Sequence, residues 1–453
     1  MLPFKRTALI PTGLNSETRW LLWLFLITAL GGALRKWFVS SSALSNIILG
    51  VQMVIPFLMV ARRSARSYSP FARYQLLAIY FVYLAFHIVY PLQQTIYHGI
   101  FGMLIHGGFW LGIFFYLSNR HLFQMEKLMP LIIAVVALEI VLAFIQYQLP
   151  QGHFLNKYAR EGQTIAVVGS RVRVTGTFSY LSGYTAFMLF YPLFVWSLVR
   201  LRYPQWLVVT AAAFGTIACF MTGSRSALVI FLLLMVPVIL REYPLSSLFR
   251  LAGRLILPAM VAGAVLLVAG KIQIAKVAQE AYDNFMQRVE ANRRSGEQNA
   301  RIYTDLWYIQ NAHYQYPLTG VGLGSTYQGA VQLFGVSRHV QEFGYVESEL
   351  SRVLLEGGWI IVLLKLALGL LMARQLAFTG FMRWAVWFTI AFGQPIVFNP
   401  HNAAFLMMGI MLADNVIWRE QQHKRKLLWE AAQRQKPAAH LPPNTPVLKP
   451  GQA

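Results

Sequence analysis

The chain is poor in cysteine, in acid and in charge of any kind. One cysteine, Cys219, occurs in 453 residues, so neither an intramolecular disulfide nor a cysteine-based metal site is available. Asp and Glu number 17 against 39 Lys and Arg, and together they make up only 12% of the chain. Soluble domains carry about a quarter charged residues, so a water-soluble globular class is excluded. No internal repeat and no coiled-coil heptad is found. The glycines at 320, 322 and 324 follow no strand and lack a P-loop lysine, which excludes both common nucleotide fingerprints.

What is present in excess is apolar sequence, 57% of the residues. Leu207–Met221, Ala227–Leu240 and Leu255–Gly270 carry no charge, and neighbouring runs reach the roughly 17–25 residues that a helix needs to cross about 30 Å of hydrocarbon. The fold class is all-α, a polytopic membrane protein of about twelve helices. The predicted spans are Trp20–Leu34, Leu44–Ala61, Tyr74–Leu92, His98–Leu117, Leu128–Gln148, Ser182–Val199, Trp206–Met221, Ala227–Leu240, Leu251–Gly270, Leu354–Met372, Met382–Phe398 and Asn402–Trp418. The first runs straight into Arg35 and Lys36 with no cleavage site, which marks a membrane helix and not a signal peptide.

Loop charge orients these spans. With the N-terminus inside, most Lys and Arg fall on inner segments, among them Arg62, Arg63, Arg66 and Arg73, and the tail after Trp418. The positive-inside rule therefore puts both termini in the cytoplasm, and it accounts for much of the +22 net charge without a nucleic-acid partner. Residues 1–270 hold nine helices and an external loop at 149–180; residues 271–352 form a large external loop; residues 353–418 hold the last three helices. The basic tail, 419–453, with Pro437, Pro442, Pro443 and Pro446, reads as disordered. In the large loop, Ile274, Val277, Ala281, Phe285 and Val289 recur near helical spacing, which predicts an amphipathic helix over Lys271–Arg294. A second helix is predicted over Arg301–Ala312, ended by Pro317.

The rule gives no reason for the external cations. Arg35, Lys36 and Arg225 sit in short external turns, and others lie in the two long loops. They could form a basic floor suited to a phosphate or an acidic sugar; long loops also escape the rule and carry ordinary surface charge. Four external segments stand out: Arg171-Val-Arg-Val-Thr-Gly-Thr-Phe178; Thr222-Gly-Ser-Arg-Ser-Ala227, a minimal turn whose small residues leave backbone N–H groups open around a guanidinium; Asn299-Ala-Arg-Ile-Tyr-Thr-Asp-Leu-Trp307 followed by Tyr316-Pro-Leu-Thr-Gly-Val-Gly-Leu-Gly324; and Glu347-Ser-Glu-Leu-Ser-Arg-Val-Leu-Leu-Glu-Gly-Gly358.

In this order, the segments resemble the O-antigen ligase/polymerase superfamily, bacterial inner-membrane proteins with about twelve helices and a large periplasmic loop. The resemblance spans Arg171 to Gly358. It implies a metal-independent glycosyltransferase, with no cofactor, that acts on an undecaprenyl-diphosphate-linked saccharide donor and a glycan acceptor on the periplasmic side. Membrane lipids and other polysaccharide assembly and export proteins are the implied partners. Polymerases join repeat units; ligases move a finished glycan onto lipid A–core. By position, Arg225 and Arg301 match the arginines that hold the lipid diphosphate, with Arg173 and Arg352 beside them. Ligases carry a histidine where this chain has Glu347, which favours the polymerase. Glu347 or Glu349 is then the general base, and Trp307 and Tyr303 are candidates to stack on sugars.

Each residue also has a plainer role. Glu347 and Glu349 could complement the dipole of the following helix, and Arg301 could pair with Asp305 at i+4. Arg171, Arg173 and Arg352 read as surface cations, Trp307 as a packing residue, and His313 or His339 as a substitute for the ligase histidine. Intramembrane His87, His106, Glu139, Lys365 and Asp414 would mark a proton path in a transporter, such as a lipid-linked oligosaccharide flippase. The inverted repeats of that class are not seen. A scaffold that binds an exported acidic polymer is a third possibility.

Overall fold

The computed structural model describes residues 13–39, 41–63, 69–159, 165–169, 171–242, 273–294, 318–344, 348–393 and 396–435. They are overwhelmingly helical. The helices are α1 (Ser16–Ala33), continued by a π-helical turn Leu34–Phe38, α2 (Ser42–Arg63), α3 (Gln75–Phe86), α4 (Ile96–Ser118), α5 (Met129–Gln148), α6 (Leu181–Arg200), α7 (Gln205–Thr222) and α8 (Arg225–Glu242). Then come α9 (Gln273–Arg294), α10 (Gln328–Phe334), α11 (Arg338–Phe343), α12 (Glu349–Gln375), α13 (Phe381–Phe388) and α14 (Pro400–Gln435). Two-residue strands β1 (Val167–Val168) and β2 (Arg171–Val172) pair antiparallel, Val167 opposite Val172.

Among the described residues, seven helices are long and apolar enough to cross a membrane: α1 with its π turn, α2, α4, α5, α6, α7 and α12. Helix α3 is apolar but shorter. Helices α8, α13 and α14 overlap three further predicted spans, while the predicted span Leu251–Gly270 lies outside the described residues. Exposed side chains say what surrounds the bundle. Val229, Leu232, Val236 and Leu240 stripe the outside of α8, and Phe381, Trp384, Phe388 and Phe392 stripe α13 and the turn after it. A soluble monomer rarely exposes such continuous apolar faces, so these are the features of a multi-pass membrane protein.

The core is aromatic and centres on α6 and α14. Phe178, Phe187 and Phe190 all lie against Phe405, with ring centroids 5.5–6.0 Å apart. Small residues let helices approach: a Cβ at Gly215 would fall 2.4 Å from the Tyr191 ring.

The bundle has two chemically different ends. One gathers the start of α1, the end of α4, the starts of α5 and α7, and the ends of α6, α8 and α12, as shown by Arg120 donating to the Gln375 carbonyl and Arg200 pairing with Glu242. The other gathers the end of α1, the start of α4, the end of α7 and the starts of α6, α8, α12 and α14. The chain leaves the described region at the first end, at Glu242, and re-enters it as α9 at the second, where Arg288 reaches Gly223. As predicted, α9 is amphipathic: Val277, Ala281 and Phe285 are buried, and Phe285 packs 5.4 Å from Phe220.

The tail differs from its sequence reading. Helix α14 runs on to Gln435 instead of ending near Trp418. Ion pairs at i,i+4, Glu420 with Lys424 and Lys426 with Glu430, and the helix-favouring Ala431 and Ala432 extend it. Thus 419–435 is helical, and the rest of the tail lies outside the described residues.

Candidate active site

One segment, Arg171–Ser179, ties the second end of the bundle together. Arg171 forms a bidentate pair with Glu280 of α9, at 2.7 and 2.9 Å. Arg173 Nε donates to the Thr222 carbonyl at 2.8 Å, at the end of α7. The buried Gln146 side-chain carbonyl accepts from the N–H groups of Thr175 and Gly176, and Thr177 donates to buried Glu139 from both N–H and hydroxyl. Lys36 Nζ donates to Thr175 Oγ1 and to the Gly176 carbonyl, both at 2.9 Å. Arg35 Nη1 donates to Ser179 Oγ at 2.9 Å. The TGTF stretch is thus polar because buried side chains from α1 and α5 need partners.

The turn between α7 and α8 collects guanidinium groups. Gly223 closes α7 at φ +60, a left-handed position suited to glycine, and Arg225 opens α8, half-buried. Arg288 Nη1 donates to the Gly223 carbonyl at 2.9 Å, beside Arg173 on Thr222. Both cations therefore sit at the negative end of the α7 dipole. Burial first, then the charge of Arg288, pushes Arg173 down to about 10. Two like charges this close favour a bound anion.

The glycine run and the LLEGG motif prove to be one unit. Glu356 is fully buried and accepts from Gly324 N–H and Thr326 N–H, each at 2.8 Å, and from the Thr326 hydroxyl at 2.6 Å. His106 Nε2 lies 3.0 Å away. Backbone bonds from Val321 to Leu355 O and from Gly322 to Glu356 O complete the contact. Glycine is needed at 324, where φ is +76 and a Cβ would fall 2.3 Å from the His98 carbonyl. This loop delivers Tyr327 into the site, where burial pushes its hydroxyl up to about 12 against the opposing charges of Arg35 and Arg352.

The sequence-predicted residues fall in several places. Arg173 and Arg225 come together at the α7–α8 turn. Arg352 lies on α12, near Tyr327 with Arg35, its guanidinium 5.1 Å from the Phe398 ring. Neither Arg173 nor Arg352 is a surface cation: Arg352 is buried and Arg173 half-buried, because each was drawn inward by partners invisible in a linear reading. Glu349 is buried, ion-paired with Lys365, and accepts from Val397 N–H at 2.7 Å, so it does more than complement a helix dipole. His339 is buried, its Nε2 facing the Leu92 carbonyl at 3.4 Å. Glu347, Arg301, Trp307, Tyr303 and His313 lie outside the described residues.

Sequence reasoning treated Arg35 and Lys36 only as a generally basic floor, and Arg288 only as part of an amphipathic helix. The available signal was two consecutive cations directly after an apolar span. Four of the five intramembrane groups weighed as a proton path have separate partners, His106 with Glu356, Lys365 with Glu349, Asp414 with Arg120 at 2.9 Å, and Glu139 with Thr177. Both ring nitrogens of the fifth, His87, are buried with no hydrogen-bond partner among the described residues.

Electrostatics separates the two ends. At the first, Arg120 meets Asp414, Arg200 meets Glu242 at 2.6 Å, and Arg419 meets Glu126 at 2.8 Å. At the second, Arg35, Lys36, Arg173 and Arg288 are held by hydroxyls and carbonyls. Arg35 and Arg173 ion-pair with no described carboxylate, whereas Arg171 and Lys365 at the same end are paired with Glu280 and Glu349. Comparison of the sequence with protein-family models and with curated proteins gives no match, so function is argued from this geometry.

Proposed function

We propose that the protein is a membrane glycosyltransferase that joins undecaprenyl-diphosphate-linked saccharides on the periplasmic face of the bacterial inner membrane, as an O-antigen or exopolysaccharide polymerase. This reading includes twelve spans, both termini in the cytoplasm, and the second end of the bundle facing outward. It is carried by one observation: at that end Arg35, Lys36, Arg173 and Arg288 hydrogen-bond to hydroxyls and carbonyls, most of them in two of the four motif regions, Arg171–Phe178 and Thr222–Ala227. A diphosphate is the complementary ligand for such a cluster of cations, and guanidinium forks suit its oxygens.

In the reaction, Arg225 and Arg173, with Arg301, hold the donor diphosphate. An acceptor hydroxyl attacks the anomeric carbon; the new glycosidic C–O bond forms as the anomeric C–O bond to phosphate breaks, and the lipid diphosphate leaves with the electron pair. The hydroxyl proton passes to Glu347. Arginines that stabilise the charge growing on the leaving group lower the barrier. Glu349, engaged by Lys365 and Val397, positions the start of α12 instead of taking the proton.

Arg225→Ala and Arg301→Ala strains test the reading. They should lose polymer while lipid-linked repeat units accumulate on the outer face. Accumulation on the cytoplasmic face would favour a flippase, and normal polymer would end the enzyme reading. A deletion strain separates polymerase from ligase: single repeat units on the carrier mark the former, long chains the latter.

A further inference from the structure

Arg35 has few commitments for its burial among the described residues. It is 8% exposed, within the π-helical turn that ends α1; such turns often mark functional positions. Nε donates to Ser45 Oγ at 2.8 Å and Nη1 to Ser179 Oγ at 2.9 Å. Nη2 donates to no described group, and no described carboxylate ion-pairs with Arg35. A buried charge without a counter-charge is costly, and this one is held in place by hydroxyls that satisfy only part of its fork.

Other groups with open hydrogen-bonding capacity surround it. Phe178, next to Ser179, lies 6.1 Å from the His401 ring, and His401 Nδ1 is buried with no hydrogen-bond partner. Arg35 acts electrostatically on both His401 and Tyr327. The Tyr327 ring is fixed against Phe101, 5.2 Å away, but its hydroxyl donates to no described group. A small apolar cleft, lined by Leu24, Met53, Ile105, Val397, Pro400 and Met407 among others, opens beside the same helix start, since Pro400 directly precedes His401.

We propose that Arg35, Tyr327 and His401 form an inner anion site, separate from the Arg173–Arg225 turn, that takes a phosphoryl group whose apolar chain occupies the adjoining cleft. The proposal rests on the glycosyltransferase reading for the identity of the lipid, but not for the site itself. Arg35 Nη2 and the Tyr327 hydroxyl donate to phosphoryl oxygens, and His401 donates when its Nδ1 carries the proton. The outer group at the α7–α8 turn holds the rest of the polar head.

The test uses the full chain in phosphatidylcholine nanodiscs, titrated with farnesyl diphosphate, inorganic diphosphate and glucuronate. Farnesyl diphosphate should bind more tightly than inorganic diphosphate, because only it fills the cleft. Arg35→Gln and Tyr327→Phe should each weaken it by about tenfold, the scale of a charge-assisted hydrogen bond, with an unchanged melting curve for Tyr327→Phe. Should Arg35→Gln not fold, Tyr327→Phe and His401→Phe decide, and unchanged affinity in both overturns the site. Glucuronate bound in place of either diphosphate, and lost in Tyr327→Phe, would reassign it to a sugar acid and overturn the phosphoryl assignment. Arg225→Ala reports separately: loss there with none at Arg35 and Tyr327 removes the inner site alone, whereas the reverse removes the outer diphosphate reading and leaves the inner site standing.

Discussion

His106 Nε2 sits 3.0 Å from Glu356 Oε2, a contact between two fully buried side chains 250 residues apart in sequence. It pins the glycine loop to both α4 and α12, since the same carboxylate accepts from Gly324 and Thr326. Tyr327 is the next residue after those contacts, so its placement depends on that buried carboxylate.

Glu356→Ala should therefore cost at least about 1–3 kcal/mol, the range for leaving one buried donor unsatisfied, because it strands the Gly324 and Thr326 donors at once. Gly324→Ala should cost about 1–3 kcal/mol, because alanine cannot take φ +76 without strain. Thermal unfolding in detergent measures both. A melting temperature within error of the wild type for either variant would mean that the loop is not held this way.

The two candidate carboxylates at the start of α12 should behave differently. Glu349 is engaged by Lys365 and the Val397 N–H, so Glu349→Gln leaves a buried ammonium uncompensated and should lower stability by about 3–5 kcal/mol. The double variant Glu349→Gln with Lys365→Met should recover much of the loss, because a buried pair replaced by apolar groups is often near neutral. Glu347→Gln should abolish transfer with little change in stability. Near-normal polymer from Glu347→Gln would remove it as the base.

How much of this could be read from the sequence follows from the ranges of the forces involved. Helices such as α5 and α6 are legible because the bilayer demands long apolar runs, a local property. The amphipathic α9 is legible by its periodicity. The pairing of Glu356 with His106, or of Arg35 with Ser179, is not, because the partners are set by three-dimensional packing between helices distant in sequence. Arg173 read as a surface cation for the same reason. The start of the tail misled through composition: its charges signal solvation, but their i,i+4 spacing extends α14.

His339 gives a pH dependence. It is buried on α11, and desolvation, the largest influence, lowers its pKa from the ordinary histidine value despite the Leu92 carbonyl. A folded-state pKa below the unfolded one means that the unfolded chain binds the proton more readily. The stability associated with neutral His339 is thus fully present above its unfolded pKa and is lost as pH falls through the lower, folded value. Melting temperature should fall on acidification from about pH 7.5 to about 5, and His339→Gln should reduce that fall. Identical pH profiles for the two proteins would exclude His339 as a contributor.

The Arg173–Arg288 pair makes the last prediction. Each guanidinium complements the α7 C-terminus through a carbonyl, which is worth about 0.3–1 kcal/mol, while their mutual repulsion opposes it. Arg288→Gln should therefore change the stability of the ligand-free protein by no more than about 1 kcal/mol. The anion response should change far more. Diphosphate at about 100 times its Kd stabilises a single-site protein by about 2.7 kcal/mol, and Arg288→Gln should lose most of that shift because one of the two charges that hold the anion has gone. Thermal unfolding with and without inorganic diphosphate reads both quantities. An undiminished diphosphate shift in Arg288→Gln would show that this pair braces the turn and binds nothing.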